Sequence, residues 1–185
     1  MWDNHYPRGR PSLRLPDYDY AQPGAYFVTI CALDRVCLFG EVREGAIHLN
    51  DAGRMVREVW EELPARFPHI GLDAFIVMPN HLHGIVVIRE RREGQGLGQI
   101  IGAFKSLTTR RYIVGVRQAG WRPFAGRLWQ DNYFEHVIRD ETSFNRIREY
   151  IACNAVHWDS DPERPRGATR DERADDEAAD VDSHP

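Results

Sequence analysis

Several things are scarce in this sequence, and each scarcity removes a class of protein. Only three cysteines occur in 185 residues, Cys31, Cys37 and Cys153. They form no CxxC pair and no even set, which argues against a disulfide-built or zinc-ribbon domain and favours a reduced, cytoplasmic one. No stretch reaches the roughly 18 to 20 consecutive apolar residues that a membrane-spanning helix requires. The first twenty residues are polar and rich in proline, with no apolar core of a secretory signal, so export is not expected. Lysine is almost missing: Lys105 stands alone among 24 basic residues, and the rest are arginine. A GC-rich genome explains that bias. Arginine also suits phosphate, because its planar fork donates two parallel hydrogen bonds.

An excess of positive charge is missing too. The formal net charge is −4, which by itself does not suggest a nucleic-acid partner. The charge is unevenly placed, however. From Asp159 to Pro185 there are ten acidic residues against four arginines, which leaves 20 basic and 18 acidic residues in the remainder. The folded part is mildly basic and the tail acidic. After Trp158 the composition collapses to Asp, Glu, Arg, Ala and Pro, so a disordered tail is expected over residues 159–185, from about Asp161 onward. Residues 1–24 read as an extended, proline-punctuated segment, and 25–158 as a single domain.

What is present is a regular alternation of strand and helix patterns. Tyr26 to Leu33 is a β-branched and aromatic run, a strand pattern. Val36 to Glu41 and Ala46 to Leu49 flank Arg43-Glu44-Gly45 as a hairpin. Asn50 or Asp51 caps a helix whose apolar positions Met55, Val56, Val59, Trp60 and Leu63 follow a 3.6-residue period, with Pro64 near its end. Two apolar runs, Leu72 to Met78 and Ile85 to Ile88, enclose the turn signal Pro79-Asn80. Leu97 to Val114 reads as a helix and Tyr133 to Ile138 as a strand. Asp140 caps a last helix over Glu141 to about Ala155. The order predicts an α+β fold, an antiparallel sheet covered by helices.

Three places carry chemistry. His81 and His83, two residues apart, share one face if the strand already runs through them, and two imidazoles on one face can hold a divalent ion. They can equally be histidines on a solvated strand face. On the last helix, Arg146, Tyr150 and Asn154 are spaced by four and lie along one side. Tyr150 is either an amphipathic tyrosine at the edge of the core or a nucleophile. A phenol with a pKa near 10 needs a polarised target, which a metal ion supplies as a Lewis acid, and the Asn154 amide oxygen could share that ion with the histidines. Lys105, Thr108, Thr109, Arg110 and Arg111 gather donors suited to phosphate oxygens, or else form the solvated basic end of an ordinary helix.

Four stretches, YFVTICALDR, IVMPNHLHGIVVI, IIGAFKSLTTRR and LWQDNYFEHVIRDETSFNRIREYIACNAV, appear in order over residues 26 to 156. Together they resemble the REP-associated tyrosine transposases, relatives of the single-tyrosine HUH transposases. The resemblance implies a ferredoxin-like sheet with the paired histidines on a central strand. It makes Tyr150 the nucleophile, and His81, His83 and Asn154 the ligands of a divalent metal, Mg²⁺ or Mn²⁺. Relatives often have Asn-Pro where this chain has Asn154-Ala155. Tyr133 is a competing tyrosine, on a predicted strand with no Asn or Gln one helical turn away. The expected activity is cleavage and rejoining of single-stranded or hairpin DNA through a 5′-phosphotyrosine. Lys105, Thr108, Arg110, Arg111 and Arg146 are the expected DNA contacts, with Tyr18 and Tyr20 either stacking on unpaired bases or packing on the sheet edge. The alternatives are a DNA-hairpin-binding protein that does not cleave, and a metal-dependent hydrolase of small substrates.

Overall fold

The structure is a computed structural model that describes residues 18–165. A four-stranded antiparallel sheet forms its centre. The strands are β1 (Gly24–Cys31), β4 (Ile70–Val77), β5 (His81–Ile88) and β6 (Phe134–Ile138), arranged in the order β4-β5-β1-β6. A small hairpin, β2 (Gly40–Arg43) with β3 (Ala46–Leu49), is set between β1 and the first helix, α1 (Asp51–Glu61). It turns through Glu44 and Gly45, both at positive φ (51° and 73°), as a two-residue hairpin requires. The short helix α2 (Leu63–Arg66) precedes β4, α3 (Leu97–Ala119) connects β5 to β6, and α4 (Glu141–Cys153) follows β6. Without the hairpin and the short helix, the path is β1-α1-β4-β5-α3-β6. This is the βαββαβ path of a ferredoxin-like fold, with β5 inserted between β1 and β4.

The two central strands are buried on both faces because helices cover both. Tyr26, Val28 and Ile30 of β1, with Leu82 and Val86 of β5, point to one side. There they meet Val56, Val59 and Trp60 of α1 and Ile100, Ile101 and Phe104 of α3. Phe27 and Ile85 point to the other side and meet Ile147 and Ile151 of α4. Gly84 lets the two layers approach. A Cβ there would lie 2.5 Å from the Trp60 ring, so the residue after His83 must lack a side chain if Trp60 is to pack flat on the strand.

Side-chain caps begin α1 and α4: Gly53 N donates to Asn50 Oδ1 (2.9 Å), and Ser143 N to Asp140 Oδ1 (2.8 Å). The strand containing the histidines starts at His81 rather than Ile85. α3 runs five residues past Val114 and stops at Gly120, whose φ of 67° makes the left-handed C-cap. Tyr18 and Tyr20 pack on Tyr26, with ring centroids 6.5 and 6.0 Å away. Residues 1–17 and 166–185, where most of the extended N-terminal segment and of the acidic tail fall, lie outside the described residues.

Candidate active site

Strand register places the histidines. Cys31 pairs with His81 and Thr29 with His83, so both imidazoles leave the sheet on the face covered by α4. Their Nε2 atoms lie 3.0 Å apart. The turn residue Asn80 determines which nitrogen of His81 is bare. Its Nδ2 donates to the carbonyls of Arg35 (2.9 Å) and Glu163 (2.7 Å), so its Oδ1, 2.7 Å from His81 Nδ1, must accept. His81 therefore carries its proton on Nδ1 and presents a bare Nε2. Thr29 Oγ1 holds His83 Nδ1 at 2.8 Å, and Phe27 stacks on the His83 ring at 5.5 Å. Burial lowers both pKa values, that of His83 to about 3, and the neighbouring His83 and Arg35 push His81 down further. Both rings are neutral near pH 7, the form that binds metal.

α4 brings the tyrosine. Ile147 and Ile151 bury its inner stripe, and Tyr150 lies on one flank of that stripe. The Tyr150 hydroxyl is 3.3 Å from His83 Nε2, with its ring set edge-on to Phe27 (6.0 Å between centroids). On the opposite flank, Arg148 donates from Nε and Nη2 to the two oxygens of Asp73, each at 2.7 Å. Asp73 sits in the irregularity of β4 between Leu72 and Phe75. A strand bulge there re-aims a carboxylate at the helix, and the forked ion pair fixes how α4 rolls on the sheet. Tyr133 packs in the other layer, beneath the Lys105 ammonium. Of the two candidate tyrosines, only Tyr150 stands at the histidines.

The chain does not leave the domain after Trp158. That residue is buried against His81 (6.1 Å between ring centroids) and opens a turn of 3₁₀ helix. The segment expected to be loose from about Asp161 instead returns to the site, up to the last described residue, Pro165. The Asp161 side chain is 2% exposed, with Oδ2 3.9 Å from His81 Nε2. Burial raises its pKa to about 6, while the Glu163 backbone and the Asn154 amide hydrogen-bond to it. Asn154 itself is buried at the end of α4, and its Oδ1 has no hydrogen-bond partner among the described residues. His81, His83 and Asp161 bring ligand atoms within 4.8 Å of one another. The set fits a divalent ion: one nitrogen is bare by construction, and one buried amide oxygen is orphaned. Two cis donors on an octahedral ion at about 2.1 Å would also lie about 3 Å apart, as the Nε2 atoms do. Composition hid Asp161, because it sits in an acidic run. The only sequence sign was Trp158, an anchor three residues before it.

Against this geometry, the family described as Transposase IS200 like matches residues 36–154, well over half of the sequence. The chain belongs to the IS200-like transposase family. It is 39% identical over 170 residues to a Haemophilus influenzae protein described only as uncharacterized, covering 82% of this chain and 91% of that one. A second Haemophilus influenzae protein, provisionally described as a REP-associated tyrosine transposase, is 25% identical over 141 residues, covering 75% and 73%. A solved structure of a REP-associated tyrosine transposase bound to a REP hairpin shares the fold. Its TM-score is 0.54 at 20% identity, over 78% of this chain and 73% of that one. The resemblance read from the four stretches holds.

The DNA contacts expected of this IS200-like transposase are scattered, and the structure corrects one of them. Thr108 is fully buried. Its Oγ1 donates to the Phe104 carbonyl (2.8 Å) and accepts from Trp129 Nε1 (2.8 Å), so it is a core hydrogen-bonding residue with no reach to a phosphate. Lys105 donates to the carbonyls of Gln130, Asp131 and Asn132 at 2.8 to 3.2 Å, which commits its ammonium to holding that loop. Burial lowers its pKa to about 8. Arg110 and Arg111 are exposed, but α3 packs on the sheet face away from the histidines, and Arg111 pairs with Glu62 through both Nη atoms (3.1 and 2.7 Å). Arg146 is exposed on α4, one turn before Tyr150, and is the one expected contact on the helix of the site. Among the described residues no helix is long and apolar enough to cross a membrane.

Proposed function

We propose that this protein is a metal-dependent DNA strand transferase that cuts single-stranded or hairpin DNA with Tyr150. The observation that carries the reading is the hydroxyl of Tyr150, 3.3 Å from His83 Nε2, which itself lies 3.0 Å from the bare Nε2 of His81. A nucleophile set beside a pair of neutral imidazoles suits phosphoryl transfer. His81, His83, the Asn154 amide oxygen and the Asp161 carboxylate would hold the ion. Mg²⁺ or Mn²⁺ fits so mixed a nitrogen and oxygen set. When bound, it supplies Lewis-acid polarisation of the scissile phosphate.

The remaining chemistry belongs to the chain. The Tyr150 oxygen forms a bond to phosphorus as the bond from phosphorus to the 3′ oxygen breaks, and overall the phenol proton goes to that departing oxygen. The products are a 5′-phosphotyrosine and a free 3′-hydroxyl, and the reverse reaction on another strand rejoins DNA without ATP. Phe27 and the Arg148–Asp73 pair hold the tyrosine in line. Thr29 and Asn80 hold the imidazoles. The scissile strand must be unpaired, since the phosphate has to enter a site bounded by α4 and the sheet. The solved relative bound to a REP hairpin supports a hairpin substrate.

The test is a denaturing gel of the full chain incubated with labelled hairpin DNA with single-stranded flanks. A covalent band that requires Mg²⁺ or Mn²⁺ and vanishes in chelator and in Tyr150→Phe supports the reading. A shift under native conditions without a covalent band means a hairpin-binding protein that does not cut. Phosphodiester hydrolysis that survives Tyr150→Phe means a metal hydrolase.

A further inference from the structure

We propose that the Arg35 guanidinium is a phosphate clamp of this site, and that in the free protein the Glu163 carboxylate occupies the position a phosphodiester oxygen takes during cleavage. The proposal rests on the DNA-cleaving reading above and adds a residue to it.

Arg35 is placed by an unusual backbone. Asp34 and Arg35 both adopt left-handed conformations, φ 54° and 55°, without being glycine, in the turn after β1. Such a turn persists only where the surroundings hold it, and it re-aims the side chain that follows a strand. Here Arg35 N donates to the Ala32 carbonyl (3.1 Å) and Asn80 Nδ2 donates to the Arg35 carbonyl (2.9 Å). The same Asn80 side chain fixes His81 through its oxygen. One buried amide therefore sets the guanidinium-bearing turn and the metal-site imidazole against each other.

The Arg35 side chain is 28% exposed, and its only ion pair among the described residues is with Glu163, Nε to Oε2 at 2.5 Å. That same Oε2 accepts from the Cys31 thiol at 3.3 Å, and Cys31 stands directly across the sheet ladder from His81. An anionic oxygen thus sits between the arginine and the floor of the histidine site. It comes from the segment after α4, two residues beyond Asp161, and not from the sheet or helices that build the site.

A planar guanidinium binds a carboxylate and a phosphate through the same parallel donors, so the two can exchange on one arginine. A donor aimed in advance at a phosphate gaining charge stabilises the transition state more than the bound substrate. Glu163 keeps that donor ordered until the DNA arrives. The competing explanation is a tether: Arg35 and Glu163 merely fasten residues 158–165 to the β1 turn.

The two accounts predict opposite signs. With full-length Arg35→Ala and Glu163→Gln, one would measure single-turnover formation of the covalent adduct on saturating hairpin DNA, and binding by anisotropy at several salt concentrations. A clamp makes Arg35→Ala slower by about 100-fold or more and shallower in its salt dependence by about one unit of slope. Glu163→Gln keeps the rate and binds DNA several-fold more tightly, because the competing anion is gone. A tether makes both variants shift rate and affinity in the same direction, and that result overturns the clamp, as does an Arg35→Ala protein with the rate and slope of the parent. If thermal melting shows that Arg35→Ala does not fold, Arg35→Lys keeps the charge without the fork. It should recover the salt slope but not the rate, and full recovery of the rate would overturn the clamp. If the parent protein forms no adduct, the cleavage reading fails by itself. The opposite effects of the two variants on affinity and slope still decide whether Arg35 grips phosphate.

Discussion

The two faces of the sheet are built to different standards. On the face toward α1 and α3, aromatic rings interlock around Trp60. Phe104 is edge-on at 5.3 Å and in turn lies 5.6 Å from Trp129, with Gly84 cleared to admit the indole. On the face toward α4 the apolar layer is thin. Phe27, Ile85, Ile138, Ile147 and Ile151 are buried, half-buried Ile76, Val87, Phe134 and Phe144 flank them, and beside them lies a buried polar cluster of Thr29, His81, His83, Asn154 and Asp161. Buried polar groups add little net stability once their desolvation is counted, and they depend on complete pairing. One face accounts for the stability and the other carries the chemistry. They share the four strands, whose alternate side chains serve opposite layers: Ile70 and Val77 of β4 and Val137 of β6 face one way, Ile76 of β4 and Ile138 of β6 the other.

The largest effect that tests this division is at the nucleophile. Tyr150→Phe should abolish the covalent adduct, a loss of about 1,000-fold or more, while leaving the melting temperature within a few degrees of the parent. A large drop in melting temperature would show that the α4 face carries stability after all. Trp60→Ala should do the reverse. It is expected to cost about 3–5 kcal/mol in denaturant unfolding, while adduct formation per folded molecule at low temperature stays close to the parent's. An activity that collapses with the core intact by circular dichroism would mean that the faces are coupled through Gly84.

Thr108→Val comes next. It strands the Trp129 indole N–H in the core, and about 1–3 kcal/mol of stability should be lost with DNA affinity unchanged. Weaker DNA binding at unaltered stability would return Thr108 to the DNA surface. The smallest effect is expected from the double variant Arg110→Ala/Arg111→Ala on the far face, whose hairpin affinity should stay within about twofold. Arg146→Ala, on α4, should weaken binding across sequences and reduce the salt slope by about one. Equal losses from both would mean that DNA wraps around the sheet edge to reach α3.

Much of the site was readable in advance, for identifiable reasons. The period-2 rule places His81 and His83 on one face as soon as the strand is known to include them, and spacing by four places Tyr150 and Asn154 on one side of a helix. The cap at Asp140 is a local signal, decided within a few residues, and the helix expected to run to about Ala155 ends at Cys153, with Asn154 as its C-cap. Thr108 misled because its neighbours Lys105, Arg110 and Arg111 are donors, and sequence does not show which side of a long helix meets the sheet. The acidic segment misled more. Asp161 and Glu163 lie in a charged run that cannot bury itself, and what holds them is the partner chemistry of Arg35, Cys31, Asn80 and Asn154, distant in sequence.

The sequence alone determined what depends on neighbours along the chain: the strand and helix periods, the caps, the shared face of the histidine pair and the side of the helix that carries Tyr150. Only the tertiary structure decided which helix covers which face, that Tyr150 rather than Tyr133 meets His83, that Thr108 and Lys105 are committed to the fold, and that an acidic segment closes on the site. The reason is physical. Local patterns record covalent geometry and backbone hydrogen bonding, whereas a desolvated carboxylate or amide is stable only beside partners that the fold brings from elsewhere in the chain.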